Sequence, residues 1–568
     1  MPGLASLERT REVTDEIRRQ RKAIQRAQTQ VWLYRNLPGE IGLNMRGSLN
    51  ILDCAKHKFQ SRDNIASPGM ITIPARHYLA KWIATIPNDP ESCKQVIIRV
   101  DRYGGAWRWT GMMHHWTAET IDGVDWITCY FNDDLAFLQH VLVPPNPALP
   151  LPVFQFPRDF FMVCPTAFGA AATGQMQFVR QFANVWTMSD DPFDLSSYPE
   201  GYDPRTWQAH MKGPRFLDDP TLWGVFAARM NSYDTVIADP MDDAQVSMTY
   251  RRIFTAEGET VEGLFNNDIA NGALVFEPVD RSGFSRETGT YLSGNAAQGF
   301  LRTGIVWTSD LLEGINEFME DDQSYTPDEY HQAGWIGTKA VKPAHTIRDS
   351  YVNDLQSKVS YSPAGPTQIV IGGDNPTADA LAQVLIASVG NLLGYFLLLG
   401  FDSAGDIAAD IIMPFLVGTI AAWAQFELPA RATNLGWAHL LEVYVSGAEQ
   451  NVWSLSALAT ARGGVNATDD ETGHTMVIDE STWFIPGLHG EVGDRVGSTA
   501  GVLQRMGIDL MFTNQIKEMT LEGDETGKSE FLVKVGENKA AMSRGERNAR
   551  MLKTALDRIA DIGVHIVQ

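Results

Sequence analysis

VIIRVDRYGGAWRWTG, residues 96–111, is the stretch that decides the fold. Read with a period of two, it puts Val96, Ile98 and Val100 on one face of an extended strand. Gly104-Gly105 makes a turn, and WRWTG returns with Trp107 and Trp109 on a shared face. VDWITCYF (124–131) supplies a third strand. Turn-separated strands at this spacing predict a small barrel or sandwich within residues 47–131. Asp133 to Val141 then reads as a helix with Asp133 at its N-cap.

Upstream, residues 5–34 read as one helix. Arg18, Arg19, Arg21, Lys22 and Arg26 make its second half basic, Val31 to Tyr34 end it with an apolar cluster, and Pro38-Gly39 breaks it. Downstream, PPNPALPLPVFQFP (144–157) carries six prolines, a stiff extended crossing and a domain boundary. Helices are predicted over 174–188 and near Thr221–Arg229, a strand over 245–256, and a β meander over the Gly- and Ser-rich 270–310. QIVIGGDNP (368–376) is a strand ending in a Gly-Gly turn. Trp437 to Ala461 reads as an amphipathic helix and 474–479 as a strand. IKEMTLE (516–522) and SEFLVKV (529–535) flank GDETGK as a β-hairpin. Leu552, Leu556, Ile559 and Ile562 give a final helix over 541–562.

One stretch stands apart from this soluble, acidic pattern. ALAQVLIASVGNLLGYFLLLGF, Ala380 to Phe401, has no charged side chain; after Asp402, Asp406 and Asp410, a second uncharged run spans Ile411 to Phe426. The pair reads as an apolar helical hairpin whose first arm, at 1.5 Å per residue, covers about 33 Å. Gly390 and Gly394 stand at small-xxx-small spacing. Gln383, Ser388, Asn391 and Pro414 interrupt the two runs. Such a surface must be shielded, in the protein's own core, in an oligomer of identical copies or in a bilayer. Two of these can hold in turn: shielded in an oligomer first, released onto a membrane later. The residues expected at that oligomer or membrane contact are Leu385, Val389, Gly390, Leu393, Gly394, Phe396, Leu398, Ile411, Phe415 and Trp423.

Composition excludes several classes. The 568 residues carry 46 Lys and Arg against 69 Asp and Glu, a formal charge of −23 that repels phosphate backbones and argues against direct sequence-specific nucleic acid binding. Hydrophobic content of 44% suits globular domains, about three to four at this length. Cys54, Cys93, Cys129 and Cys164 have no metal-finger spacing and read as buried, reduced thiols. The first residues, MPGLASLERTREVTDE, lack the apolar core of a secretory signal. Fifteen Trp residues suit either interfaces or β cores.

No GxSxG elbow, HExxH, P-loop or kinase set is present. His114-His115 would point to opposite faces of a strand, which disfavours a shared ion. The acidic clusters Asp190-Asp191, Asp321-Asp322 and Asp469-Asp470-Glu471 lack EF-hand spacing. No catalytic, cofactor-binding or metal residue is assigned, and no cofactor is expected. A pair of carboxylates cleaving cell-envelope polysaccharide or peptidoglycan stays open as the alternative.

RVDRYGGAWRWTGMMHHWTAETIDGVDW, PPNPALPLPVFQFPRDF, QIVIGGDNPTAD, DIIMPFLVGTIAAW, LGWAHLLEVYVSGAEQNVWSLSALATARGG, VGDRVGSTAG and NQIKEMTLEGDETGK follow one another in order. Together they resemble the large minor tail proteins, or tail-tip hub proteins, of siphophages that infect actinobacteria. The resemblance covers residue 40 to the C-terminus. It implies a multidomain α+β fold with two β-barrel-like hub domains, 40–165 and 430–536, building a pseudo-sixfold ring in a homotrimer. Residues 1–39 are then an N-terminal helix, 166–378 a mixed middle region, 379–429 the apolar hairpin at the trimer axis or tip, and 537–568 a C-terminal helix. The implied partners are further copies of the chain, the distal tail protein, the tape measure protein, other minor tail proteins, and the host envelope or membrane on infection. The implied work is structural: joining tail to tip in the virion, closing the tube, and opening it on host contact. Lysozyme or peptidase domains appended to some hubs are not recognisable here.

Overall fold

The alternation at residues 96–111 folds as a pair of antiparallel strands, and a larger sheet grows around it. The computed structural model describes residues 29–51, 54–89, 93–149, 160–183, 203–263, 268–283, 292–308, 318–320, 345–348, 356–372, 423–445, 471–478, 484–508, 510–523 and 529–536, with isolated positions elsewhere. The predicted final helix and residues 373–422, which hold most of the apolar hairpin, lie outside the described residues.

The first layer comprises β1 (Gln30–Arg35), β2 (Asn44–Asn50), β3 (Lys56–Arg62), β4 (Pro68–Pro74), helix α1 (Tyr78–Thr85), β5 (Val96–Arg102), β6 (Trp107–Ile121) and β7 (Val124–Asp133). Residues 30–35 are therefore a strand, not the end of a helix. Val31 and Leu33 alternate into the core while β2 and β5 pair on either side. Val96, Ile98, Val100, Trp107 and Trp109 join Ile71, Ile73, Ile127, Cys129 and Phe131 in that core, and α1 covers it with Leu79, Ala80 and Ile83. The Trp109 Nε1–H donates to the Gln60 carbonyl at 2.8 Å, and its ring lies over Gly69, where a Cβ would collide with it.

Residues 134–140 form a 3-10 helix, with Asp133 before it as expected, but the Asp133 side chain makes no capping bond. A middle layer follows. It contains β8 (Leu142–Val143), β9 (Phe160–Pro165), α2 (Thr166–Ala183), β10 (Ala209–Met211), β11 (Trp223–Ala228), β12 (Asn231–Ser232), α3 (Tyr233–Ala244), β13 (Val246–Ile253), β14 (Ala273–Asp280) and α4 (Ala296–Thr308). Helix α2 starts earlier than the sequence pattern predicts. The helix expected near Thr221–Arg229 is instead strand β11, antiparallel to β9. Trp223, Phe226 and Ala228 are buried there, so sheet pairing overrides the Leu and Ala content. Among the described residues, the predicted meander over 270–310 is strand at β14 and helix at α4, which packs on Trp223 through Ala296, Ala297 and Leu301. The main core of this layer gathers Phe178, Phe226, Tyr233, Met241 and Phe276.

The last layer holds β15 (Phe318–Glu320), β16 (Thr346–Arg348), β17 (Gln356–Ser362), β18 (Gln368–Gly372), β19 (Trp423–Glu427), α5 (Pro429–Leu435), β20 (Glu442–Val445), β21 (Glu471–Ile478), β22 (Arg495–Thr499), α6 (Gly501–Arg505), β23 (Leu510–Gly523) and β24 (Ser529–Val535). The predicted β23–β24 hairpin is present. Residues 442–445, placed by the sequence pattern in a helix, are a strand parallel to β18. Strands β19, β18 and β20 make a small separate sheet.

The two ends of the chain share one sheet. Its order is β17-β21-β24-β23-β3-β4-β7-β6-β5-β1-β2, and β23 pairs antiparallel with β3 from Glu518↔Arg62 to Gly523↔His57. The architecture is mixed α+β, mostly sheet and multidomain, and no closed barrel forms among the described residues. Leu521 and Phe531 from the C-terminal hairpin fill the first layer's core.

Two substitutions test this packing. Trp109→Ala removes the largest side chain of that core and lowers stability by about 3–5 kcal/mol. Gly69→Ala forces the indole aside and also lowers the unfolding midpoint. Thermal or denaturant unfolding of the purified chain reads both; an unchanged midpoint for either contradicts the arrangement.

Candidate functional site

Strand β5 is buried on both faces. Its first face carries Val96, Ile98 and Val100 into the core; its second carries Ile97, Arg99 and Asp101 toward the middle layer. Charge on a buried strand face requires partners, and the turn after β13 brings them. Arg99 donates from Nε and Nη2 to Asp101 Oδ2 at 2.9 and 2.7 Å, and from Nη1 to Glu257 Oε2 at 2.7 Å. Arg108, from β6, donates to both Asp101 oxygens at 2.7 and 2.9 Å and to Glu259 at 2.7 and 2.9 Å. The Tyr34 hydroxyl donates to Glu257 Oε1 at 2.8 Å. Phe254 stacks on Tyr34 with centroids 4.4 Å apart, and the Arg99 guanidinium sits 4.6 Å from the Trp32 ring and 4.7 Å from the Phe254 ring.

The seam continues through Asp134, which is fully buried. Arg252 meets it with two parallel bonds of 2.8 and 2.6 Å, and the Thr110 hydroxyl donates to it at 2.5 Å. Arg99, Arg108 and Arg252 thus face Asp101, Asp134, Glu257 and Glu259; Arg251, 3.9 Å from Glu259, balances the fourth carboxylate. Burial alone would push Glu259 up, but the Arg108 hydrogen bond and the Phe254 amide outweigh it and hold the carboxyl below its usual range.

A second seam ties the middle layer to the C-terminal strands. The β3–β4 turn is the pin. Asp63 accepts from Lys517 Nζ at 2.9 Å and from the Ser247 hydroxyl at 2.7 Å, while Asn64 bonds the Val246 carbonyl and the Met248 amide. Asn64 takes φ +54°, a left-handed turn position that Asn tolerates. Arg281 pairs with Asp494 and with Glu491 at 2.9 Å, and Arg495 donates to the Ser282 carbonyl at 2.7 Å. Gly493, at φ +93°, lies where a Cβ would strike Ser247.

None of these seam residues was singled out by the sequence reading. The signal was present: VIIRVDR sets Arg99 and Asp101 on the same face of an otherwise apolar strand, which is costly unless something covers that face. The expected contact residues Leu385, Val389, Gly390, Leu393, Gly394, Phe396, Leu398, Ile411 and Phe415 lie outside the described residues. Trp423, expected near the end of the hairpin's second helix, instead opens strand β19 and pairs with Gly372 at the end of β18, so residues 423–426 are sheet and not helix. His114 and His115 do not point apart: a β-bulge between Met113 and His115 brings their Nδ1 atoms to 2.7 Å. The four cysteines form no disulfide, and burial pushes the Cys129 thiol up to about 12. Among the described residues no cluster of three or more His, Cys, Asp or Glu is placed to hold a metal, and no helix is long and apolar enough to cross a membrane.

The model of the family described as Siphovirus ReqiPepy6 Gp37-like protein matches residues 41–537. The chain belongs to that family. It is a viral minor tail protein and a component of the phage virion tail. It is similar to the minor tail protein Gp28 of Mycobacterium phage L5, 26% identical over 509 residues that cover 81% of this chain and 83% of that one. It is equally similar to Gp28 of Mycobacterium phage D29, 26% identical over 524 residues covering 84% and 86%. Among solved structures, a 43 kDa tail protein of prophage MuSo2 from Shewanella oneidensis superposes with a TM-score of 0.37 and 10% identity, covering 90% of this chain and 99% of that one. A tail protein from Neisseria meningitidis gives 0.36 and 9%, covering 90% and 97%.

Two measurements probe the seams of this tail protein. Asp134→Ala strands Arg252 in a buried position and costs about 3–5 kcal/mol, whereas Asp134→Leu with Arg252→Met loses much less; equal losses would show that the pair is not a closed unit. Asp133 is the second target. It is wholly buried, and burial together with neighbouring Asp134 pushes it up to about 8. Its folded pKa is raised, so the native state holds the extra proton and stability falls as pH climbs toward about 8. Asp133→Asn should therefore melt higher than wild type at pH 8–9, with the gap narrowing toward pH 4; a constant gap refutes the titration.

Proposed function

We propose that this minor tail protein is the tail-tip hub: a homotrimer that joins the distal tail to the tip, closes the tube and opens it on host contact for genome delivery. One observation carries the reading. The large sheet draws strands from both ends of the chain, and its outermost strands, β2 and β17, have no further neighbour among the described residues. Unlike edges at opposite ends of one sheet favour head-to-tail association, which closes into a ring when the rotation allows. Each copy gives the ring two β regions, within 40–165 and 430–536, so three copies give pseudo-sixfold symmetry. The apolar residues between 380 and 426 gather at the axis of such a trimer, with Leu385, Leu393 and Leu398 among the shielded positions. Released on infection, they engage the host membrane. The distal tail and tape measure proteins are the partners on the tail side.

A structural role without turnover fits the seams. The carboxylates that the fold brings together, Asp101, Glu257, Glu259 and Asp134, are bound to arginines rather than paired across a cleft. No observation favours the hydrolase reading over this one.

The purified chain is expected at three times its 62.9 kDa mass by light scattering. A stable monomer would end the proposal. Leu385→Asp or Leu398→Asp should weaken the trimer and abolish liposome association, since a mid-bilayer charge costs about 2.5–3.5 kcal/mol. Unchanged liposome binding by both variants removes the membrane step and leaves the hub.

A further inference from the structure

Strand β6 is fifteen residues long, but β5 covers only part of one of its edges. The β5–β6 register runs from Arg102↔Trp107 to Ile97↔Met112 and stops there. On its other side β6 stays paired with β7 to the tip, Ile121↔Val124, and β4 backs β7 as far as Pro74↔Trp126. Residues 114–121 are thus the outer rim of a supported sheet, with no strand beside them among the described residues. Eight residues span about 27 Å at strand rise.

The backbone groups facing outward can be assigned. Asp122 and Gly123, at φ +50° and +77°, form a two-residue turn, which makes Ile121↔Val124 a hydrogen-bonded pair. Alternation then turns Glu119, Thr117 and His115 toward β7, and leaves the N–H and C=O of Thr120, Ala118 and Trp116 on the open side. The bulge at His114 and the bond from Gln95 Nε2 to the Met113 carbonyl mark where pairing within the chain ends.

Proteins that keep such an edge in water guard it with lysine or proline. This rim has neither: from Trp109 to Asp133 there is no Lys, Arg or Pro, and the exposed charges, Glu119, Asp122 and Asp125, are all acidic. Each copy carries −23 overall, so a second copy, its basic Arg18–Arg26 stretch apart, is on balance like-charged toward this tip.

We propose that the 114–121 rim of β6 is a strand-addition site that takes an extended, Lys- or Arg-bearing segment of a different tail protein. Main-chain bonds from Trp116, Ala118 and Thr120 give the affinity, and Glu119 and Asp122 select the sign of the partner's side chains. The site does not depend on the trimer, since it uses neither β2 nor β17.

Ala118→Pro tests it. Proline there removes an outward N–H and leaves the bonds to β7 intact. The purified variant should melt like wild type, yet be depleted about tenfold from purified virions when it replaces the wild-type chain, which corresponds to about 1.4 kcal/mol of lost association. In parallel, a benzophenone side chain placed at Thr120 in assembled virions should crosslink to a Lys- or Arg-containing peptide of another tail protein. Wild-type incorporation of Ala118→Pro, or crosslinks confined to this chain or to a second copy, overturns the proposal. If Ala118→Pro lowers the melting point, Glu119→Lys with Asp122→Asn replaces it, since Asn tolerates the left-handed turn position at 122 and the strand backbone is untouched. Depletion of that variant supports the site and normal incorporation overturns it.

Discussion

Strand β23 pairs with β3, and that ladder joins the two ends of the chain in one sheet. Six cross-strand partners, from Glu518↔Arg62 to Gly523↔His57, splice the C-terminal hairpin onto the N-terminal sheet. The splice carries Leu521 and Phe531 into the core built by Val31, Ile98 and Trp109. It also sets the Ser529 hydroxyl 2.8 Å from His57 Nε2 and lets Arg102 reach the Ser529 carbonyl. The first core is therefore incomplete until the last strands have been made. Closing so long a loop is slow, and an unfinished sheet exposes its edge meanwhile.

The arginine seam answers a different need. Buried ion pairs are weak contributors to net stability, because desolvation offsets the attraction; their value lies in orientation. Arg99 and Arg108 share Asp101; Arg99 then bonds Glu257 and Arg108 bonds Glu259, which also lies 3.8 Å from Arg99, so these charged groups fix how the turn after β13 docks on β5. Guanidinium forks suit this better than lysine, since each binds two carboxylates and still lies on an aromatic ring. Asp63 and Asn64 repeat the device at the other seam with fewer charges. Together the two seams hold the middle layer against both halves of the one sheet.

Local pattern made part of this legible. Alternation disclosed β5, β6, β7, β13 and the β23–β24 hairpin, because each has one face in a core. It misassigned β1, β11 and β20, where short apolar runs next to helix-forming residues look alike in either state until a neighbouring strand supplies hydrogen bonds. It could not disclose that β23 lies beside β3, because a strand's own sequence fixes its faces and not its neighbour. The bulge that brings His114 to His115 was hidden for a related reason: one inserted residue cancels the two-residue period that sent them apart. The seam was half legible. Arg99 and Asp101 on a buried strand announce a cover, but nothing nearby says that residues 252–259 provide it.

The small sheet β19-β18-β20 bears on how the apolar segment is connected. Gly372 and Trp423 are cross-strand partners, so residues 373–422 leave and rejoin the fold at neighbouring points, about 5 Å apart by strand geometry. In the sequence they lie between two strands, β18 and β19, that pair with each other. None of the ladders from β17 to β2 depends on the path they take. The membrane step proposed above therefore places no demand on the sheet or the arginine seam. The segment's anchors are the β18–β19 ladder and the bonds from Thr367 to the Leu440 carbonyl. Whatever surrounds the residues between them, Gly372 and Trp423 stay side by side in the β18–β19 ladder.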